Sequence, residues 1–177
     1  MAMCKDCPNF KVHDDYYTPK SAWENINHLI PKDKIIWEAC MLNSHKSKSP
    51  EYLEALGHTV VHDTTWNILE DTPDNYDMII TNPPFKTDLK KQILMRLVEL
   101  DKPFIILLNS TNTFTKYMRD IFKDNIKYLQ MITPVGKINY EKLIYETNEL
   151  KPTNNCSFYC IYLCYKMELS PEQLWLV

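Results

Sequence analysis

The chain has 177 residues, of which 45% are hydrophobic and 12% aromatic, so it is long enough for one domain with a sizeable core and too short for two. Its net charge of -3 argues against strong non-specific binding of nucleic acid by the whole surface, because phosphate contacts need clustered lysine and arginine. The first residues lack the apolar core of a signal peptide, and the longest purely apolar run is too short to span a membrane. We therefore expect a single domain over residues 1–177, in a cytoplasmic and reducing compartment, without membrane contact.

The cysteine pattern does not predict a metal site. Cys4 and Cys7 form a C-x-x-C pair, but no second pair follows at zinc-ribbon spacing. Cys156, Cys160 and Cys164 share one face of an apolar strand and spread too far along it to hold one ion. Free thiols are the expected state of these residues.

Turn-forming residues and hydrophobic periodicity divide the chain into alternating helices and strands. Thr18 is predicted to be the N-cap of the first helix, with Pro19 in its first turn, and Gly57 is predicted to end the second helix. The predicted helices cover residues 19–30, 50–56, 86–101 and 114–124. The predicted strands cover residues 34–38, 58–63, 77–81, 103–109, 126–133 and 156–166. This alternation, with continuous apolar strands, favours a three-layer α/β fold around a mostly parallel sheet.

The same pattern of helices and strands also predicts which parts of the chain are exposed. Lysines of the helix predicted over residues 86–101, Lys90 among them, are expected on an exposed face or against phosphate groups. The polar segments 42–50 and 145–155 are predicted to be exposed loops.

Polar residues follow three of the predicted strands at the point where each strand ends. They are Glu38, Asp63 and Asn82. In an open parallel sheet, ligands bind outside the carboxyl ends of the strands. Three such residues in succession predict a binding site at this edge.

The third strand ends in an unusual corner, Asn82-Pro83-Pro84-Phe85. The two prolines remove backbone donors and fix two φ angles, and Pro83 also keeps Asn82 out of the helical region. Folding alone does not require an amide and an aromatic ring at such a corner. A plain strand-to-helix turn, with Phe85 entering the core, is the alternative interpretation.

The corner resembles the (Asn or Asp)-Pro-Pro-(Tyr or Phe) motif of amino-group methyltransferases that use S-adenosylmethionine, above all the N6-adenine DNA methyltransferases. The resemblance covers most of the chain, since residues 15–19 (Asp-Tyr-Tyr-Thr-Pro) look like the family's N-terminal cofactor motif. It implies a Rossmann-like class I methyltransferase fold, with a mostly parallel seven-stranded sheet and a late antiparallel strand. The motif order is similar to that of small members without a separate recognition domain.

The resemblance also implies roles for individual residues. The catalytic residues would be Asn82, Pro83, Pro84 and Phe85. The residues that bind S-adenosyl-L-methionine would be Tyr17, Thr18, Pro19, Glu38, Asp63, Asn67 and Asn82. Glu38 would contact the methionine amino end, Asp63 the ribose hydroxyls and Asn67 the adenine of the cofactor. Asp63 and Asn67 each have a simpler alternative as a turn acid or a turn cap.

One departure from the family pattern keeps a second hypothesis open. The family has a glycine-rich loop after the first strand, whereas this chain has no glycine between Glu38 and Leu56. The alternatives to adenine methylation in DNA are therefore a catalytically silent binding module or subunit, and an enzyme acting on RNA or on protein glutamine. A nicotinamide dehydrogenase is disfavoured because no G-x-G-x-x-G follows the first strand.

A single domain of this length leaves few residues for the recognition of a target. We expect nucleic acid as partner, DNA in preference to RNA, with help from a second copy of the chain or another subunit. The loop with Lys46 and Lys48 is one candidate surface. The other is the segment 135–155, whose basic and aromatic mixture is suited to phosphate contact and base stacking and consists of Lys137, Tyr140, Lys142 and Tyr145. An ordinary connection before the last strand is its alternative.

Overall fold

The computed structural model describes residues 16–41, 46–144, 147, 149–153 and 156–171. The α-helices are α1 (Lys20–Ile26), α2 (Ser49–Ala55), α3 (Thr87–Leu100) and α4 (Lys116–Phe122). The first five strands are β1 (Tyr16–Tyr17), β2 (Ile35–Trp37), β3 (Thr59–Val61), β4 (Met78–Thr81) and β5 (Phe104–Asn109). The last four are β6 (Leu129–Ile132), β7 (Glu141–Ile144), β8 (Glu149–Pro152) and β9 (Cys160–Tyr165).

The main sheet has the strand order β3-β2-β4-β5-β9-β6. The pairs β2–β3, β2–β4 and β4–β5 are parallel, whereas β9 runs antiparallel to both of its neighbours. The prediction of a mostly parallel sheet with a late antiparallel strand is thus confirmed. The sheet has six strands in the described part of the chain, where the resemblance implied seven.

Both faces of the main sheet are covered, which gives the three layers that the continuous apolar strands predicted. Side chains of α1 and α2, such as Trp23 and Leu53, pack on one face. Side chains of α3 and α4, such as Leu97 and Phe122, pack on the other. Neighbouring strand residues divide between the two cores because successive side chains of a strand point to opposite faces.

A second sheet of three strands, in the order β1-β7-β8, forms outside the main sheet. All of its pairs are antiparallel. The prediction of an exposed loop over residues 145–155 is wrong in part, because this span contains β8. The polar residues of β8 gave no strand signal, since its pairing depends on the backbone of β7 rather than on a buried apolar face.

Several predicted boundaries also need correction. The first helix ends at Ile26 and continues only as the 3₁₀ turn Asn27–Leu29. Its N-cap is Pro19, without a side-chain cap bond, so the assignment of Thr18 as N-cap is wrong. Residues Ile126–Tyr128 form a 3₁₀ turn instead of the start of a strand. Gly57 has a φ of 88° just after α2, as expected of a glycine that ends a helix.

Cys156, Cys160 and Cys164 are buried free thiols, as predicted, while Cys4 and Cys7 lie outside the described residues. Among the described residues, no group of histidine, cysteine and acidic side chains is arranged to hold a metal ion. None of the helices described is long and apolar enough to cross a membrane.

Candidate functional site

The strand order of the main sheet reverses between β2 and β4. The chain places β3 on one side of β2 and then returns to place β4 on the other. Glu38 directly follows β2, and Asn82 directly follows β4, so both lie at the carboxyl edge of the sheet at this reversal. A crevice forms at such a topological switch point, and it is where ligands of open α/β sheets bind.

A short hydrogen-bond network joins the two strand ends. The hydroxyl of Thr81, the last residue of β4, donates to Oε1 of Glu38. The backbone N–H of Cys40 lies 3.3 Å from the same oxygen and 3.1 Å from Oγ1 of Thr81. Glu38 and Thr81 are both buried. Thr81 was missed by sequence reasoning, although a hydroxyl at the end of an otherwise apolar strand was a signal for it.

Burial changes the acid–base chemistry of this network. It raises the pKa of Glu38 from 4.5 to about 7, although the bonds from Thr81 and from the Cys40 amide favour the charged form. Burial, and then the charge of Glu38, raise the pKa of the Cys40 thiol to about 12. Glu38 is therefore a carboxyl that titrates near neutral pH, and a cation placed beside it would favour its charged form.

The Asn-Pro-Pro-Phe corner is held by aromatic contacts from distant parts of the chain. The Phe85 ring centroid lies 5.6 Å from that of Tyr16, 6.1 Å from that of Tyr140 and 5.2 Å from that of Phe158. Phe85 packs against the core on the α1 side but remains half-buried, as does Asn82. The alternative interpretation, in which Phe85 enters the core, is therefore correct in part.

The N-terminal motif lies against the same corner. Tyr16 and Tyr17 form β1, which pairs with β7, and Thr18 and Pro19 are buried at the start of α1. The contact between the Tyr16 and Phe85 rings joins the motif to the corner. Sequence reasoning named Tyr17, Thr18 and Pro19 and missed Tyr16 and Phe158, because nothing local indicates which distant rings will meet.

Asp63 and Asn67 both take part in local turns. Oδ1 of Asp63 accepts hydrogen bonds of 2.7 Å from the backbone and from the hydroxyl of Thr65, and these bonds lower the pKa of Asp63. Oδ1 of Asn67 accepts one of 3.2 Å from the backbone of Leu69. These geometries agree with the simpler alternatives of a turn acid and a turn cap. Contacts of either residue with a cofactor remain predictions.

The predicted nucleic-acid surface around β7 needs one correction, and its Tyr145 lies outside the described residues. Tyr140 is fully buried, and its hydroxyl lies 3.1 Å from Sγ of Cys160, so it cannot stack on a base. Burial raises the pKa of this hydroxyl well above its usual value. Tyr159, in contrast, is 61% exposed, and the Lys137 ammonium lies 4.8 Å from its ring centroid. Lys142 lies over Tyr16 at 4.4 Å.

The loop after β2 borders a cleft of about 560 Å³ that faces the small sheet. The cleft is lined by Lys46, Ser47, Lys48, Glu51, Glu141, Glu149 and Leu150. Its three carboxylates outnumber its two ammonium groups, which disfavours a phosphate inside it. Residues 42–45 of the same loop lie outside the described residues.

No protein-family model matches the chain, and no curated protein matches it. Among solved structures, a SAM-dependent O-methyltransferase from Thermotoga maritima is 13% identical, with a TM-score of 0.38 over 82% of this chain and 64% of that chain. Precorrin-6y C5,15-methyltransferase from Geobacter metallireducens is 13% identical, with a TM-score of 0.42 over 89% and 100% of the two chains.

TehB from Haemophilus influenzae is 12% identical, with a TM-score of 0.45 over 84% of this chain and 62% of that chain. The chain thus spans 64% of the length of the first of these structures and 62% of the length of the third. At such identities and TM-scores, these likenesses assign no activity and no substrate to the chain.

Proposed function

We propose that the chain transfers a methyl group from S-adenosyl-L-methionine to an exocyclic amino nitrogen, with N6 of adenine in DNA as the favoured target. One observation carries the proposal. The corner from Asn82 to Phe85 lies at the topological switch point of the sheet, beside a buried carboxyl, Glu38, that is bonded to Thr81. The motif therefore stands at the edge where open α/β sheets generally bind their ligands.

The chemistry assigned to the corner follows from the weakness of the nucleophile. The lone pair of an exocyclic amine is delocalised into the ring, so acceptors on its N–H groups favour the tetrahedral nitrogen that attacks. The Asn82 side-chain oxygen and the Pro83 carbonyl are two such acceptors. Pro83 and Pro84 hold them without competing donors.

Phe85 is assigned to the target base. Its ring is half-buried, which leaves part of it for contact with a base extruded from the helix. The π face of such a ring also favours positive charge that develops on the amine. The edge-on contacts with Tyr16 and Tyr140 hold the ring in one orientation.

The residues at the switch point fit the cofactor. When bound, S-adenosyl-L-methionine supplies a methyl group on a positively charged sulfur, and it carries an ammonium group. Glu38 is a buried carboxyl whose charged form would be favoured by that ammonium group. Its described hydrogen bonds both go to Oε1. Tyr17 lies in β1, Thr18 and Pro19 precede α1, and Asp63 and Asn67 follow β3.

The proposal is tested by calorimetric titration of the chain with S-adenosylmethionine and with its demethylated product. Micromolar binding, followed by transfer of a labelled methyl group to an adenine-containing DNA oligonucleotide, is the expected result. Parallel reactions with RNA and with a glutamine-containing peptide identify the acceptor. Transfer to either of these, and not to DNA, would replace adenine N6 in DNA by that acceptor.

A second candidate function is a methyltransferase-like module without activity. Two side chains in the segment after β2, Ala39 and Met41, are buried where the family has glycines for close approach of backbone to cofactor. No detectable binding of either compound at millimolar concentration would favour this module over the enzyme.

A further inference from the structure

Lys90 is a buried lysine on the apolar face of α3. It is 5% exposed, and it shares this face with Ile93, Leu94 and Leu97 at helical spacing. The expectation of an exposed lysine at this position is therefore wrong. Burying an ammonium group costs free energy, and an apolar residue would suit the position at least as well for folding alone.

The ammonium group of Lys90 points at the corner from Asn82 to Phe85. Its Nζ donates to the carbonyl oxygen of Phe85 at 3.3 Å. The carbonyl belongs to the last residue of the corner, one position before the N-cap of α3 at Lys86. Pro83 and Pro84 lack N–H groups, so the corner has few backbone donors of its own with which to fix itself.

Lys90 also lies close to the groups that hold the Phe85 ring. Burial raises the pKa of Cys160 to about 11, while the bond with the Tyr140 hydroxyl and, to a smaller extent, the positive charge of Lys90 lower it. The Cys160 thiol in turn contacts the hydroxyl of Tyr140, and the Tyr140 ring packs against Phe85. Lys90 thus bonds the backbone of Phe85, while Tyr140 contacts its ring.

We propose that Lys90 is a positioning residue, which fixes the Asn82–Phe85 corner through the Phe85 carbonyl so that the corner's acceptors and ring meet the target amine. The inference rests on the proposed function. It explains why a lysine occupies a buried position at which an apolar side chain would serve stability: the loss of stability maintains the geometry of the site.

The test compares Lys90→Met with Lys91→Met. Methionine removes the donor and the charge with little change in volume, and Lys91 is the adjacent residue, whose ammonium is paired with Asp88 at the surface. In Lys90→Met we expect a melting temperature equal to or above that of the wild type, and hydrogen exchange at the amides of Phe85 and Lys86 roughly 10-fold faster. Lys91→Met should exchange as the wild type does.

Activity adds a second measurement. Lys90→Met should lower kcat by roughly 10- to 100-fold, because small displacements of reacting groups slow a reaction strongly, with the Kd of S-adenosylmethionine unchanged. If Lys90→Met folds and the amides of Phe85 and Lys86 exchange at the wild-type rate, the inference is wrong. If Lys90→Met does not fold, Lys90→Gln, whose side chain is too short to reach the carbonyl, is judged by the same criterion.

The exchange measurement needs no turnover. A wild-type chain that transfers no methyl group refutes the proposed function, and the exchange rates still decide whether Lys90 fixes the corner.

Discussion

At the residue scale, Glu38 shows how burial gives a common side chain an unusual property. A carboxyl of this kind in water is ionised well below neutral pH, whereas the pKa of Glu38 is about 7. The neutral form is favoured in the folded chain, because the charge is removed from water. The proton on Glu38 is therefore linked to folding and, under the proposed function, also to cofactor binding.

This linkage predicts a pH dependence of stability. Because the folded pKa lies above the unfolded one, the contribution of Glu38 to stability is fully present below pH 4.5 and is lost as pH rises through 7. The loss amounts to about 3 kcal/mol. Glu38→Gln should flatten the dependence of unfolding free energy on pH in this interval, measured by urea denaturation. Glu54→Gln, at an exposed site in α2, should leave it as steep as in the wild type.

Asn82 is predicted to act directly in methyl transfer. Asn82→Ala removes an acceptor that is used mainly in the transition state, so methyl transfer should fall below detection while the Kd of S-adenosylmethionine stays within a few-fold. Single-turnover assays and calorimetry measure the two quantities. Turnover at the wild-type rate in this variant would refute the assigned mechanism.

At the element scale, the small sheet β1-β7-β8 adds a surface outside the main sheet. It carries Lys142 over Tyr16, and next to it Lys137 lies beside the exposed ring of Tyr159. The exposed ring here is Tyr159, which lies outside the predicted segment 135–155, since Tyr140 is buried. Under the proposed function, a base would stack on Tyr159 while Lys137 and Lys142 would contact the flanking phosphates.

Nucleic-acid binding by this surface is tested with a double variant. Lys137→Glu with Lys142→Glu should weaken binding and reduce the slope of log K against log salt by about 2, since each phosphate contact contributes about 0.9 for duplex DNA. Cofactor affinity should not change. The matched control is Lys116→Glu with Lys123→Glu, which makes the same charge change at exposed positions of α4 and just after it. An equal loss in both double variants would point to net charge rather than to this surface.

At the scale of the whole molecule, ligand binding at the switch point should couple to folding. A ligand that binds only the folded chain stabilises it by about 2.7 kcal/mol at one hundred times its Kd. For a chain of this size, S-adenosylmethionine should raise the melting temperature by roughly 5–10 °C in a thermal unfolding experiment. Glu38→Gln should show a smaller rise, because the buried amide offers no charge to the ammonium group. Equal rises in both proteins would place the cofactor's amino end elsewhere.

Local sequence patterns were sufficient for the parallel part of the fold. Continuous apolar runs predicted β4 and β5, and Gly57 predicted the end of α2, because these signals depend on residues close together in the chain. The corner after β4 was also predictable, since two prolines restrict the backbone wherever they occur. The prediction that Glu38 and Asn82 lie at one edge of the sheet is confirmed, because parallel strands all end there.

Only the tertiary structure decided which of those residues meet and how they titrate. Tyr16, Phe85, Tyr140 and Phe158 are far apart in the chain and come together through the small sheet, whose strand β8 has no apolar signal. The burial of Lys90 depends on the side of α3 that faces the sheet, and the pKa of Glu38 depends on its burial beneath the strand ends. Burial and long-range contact are properties of the packed chain, so short-range patterns cannot specify them.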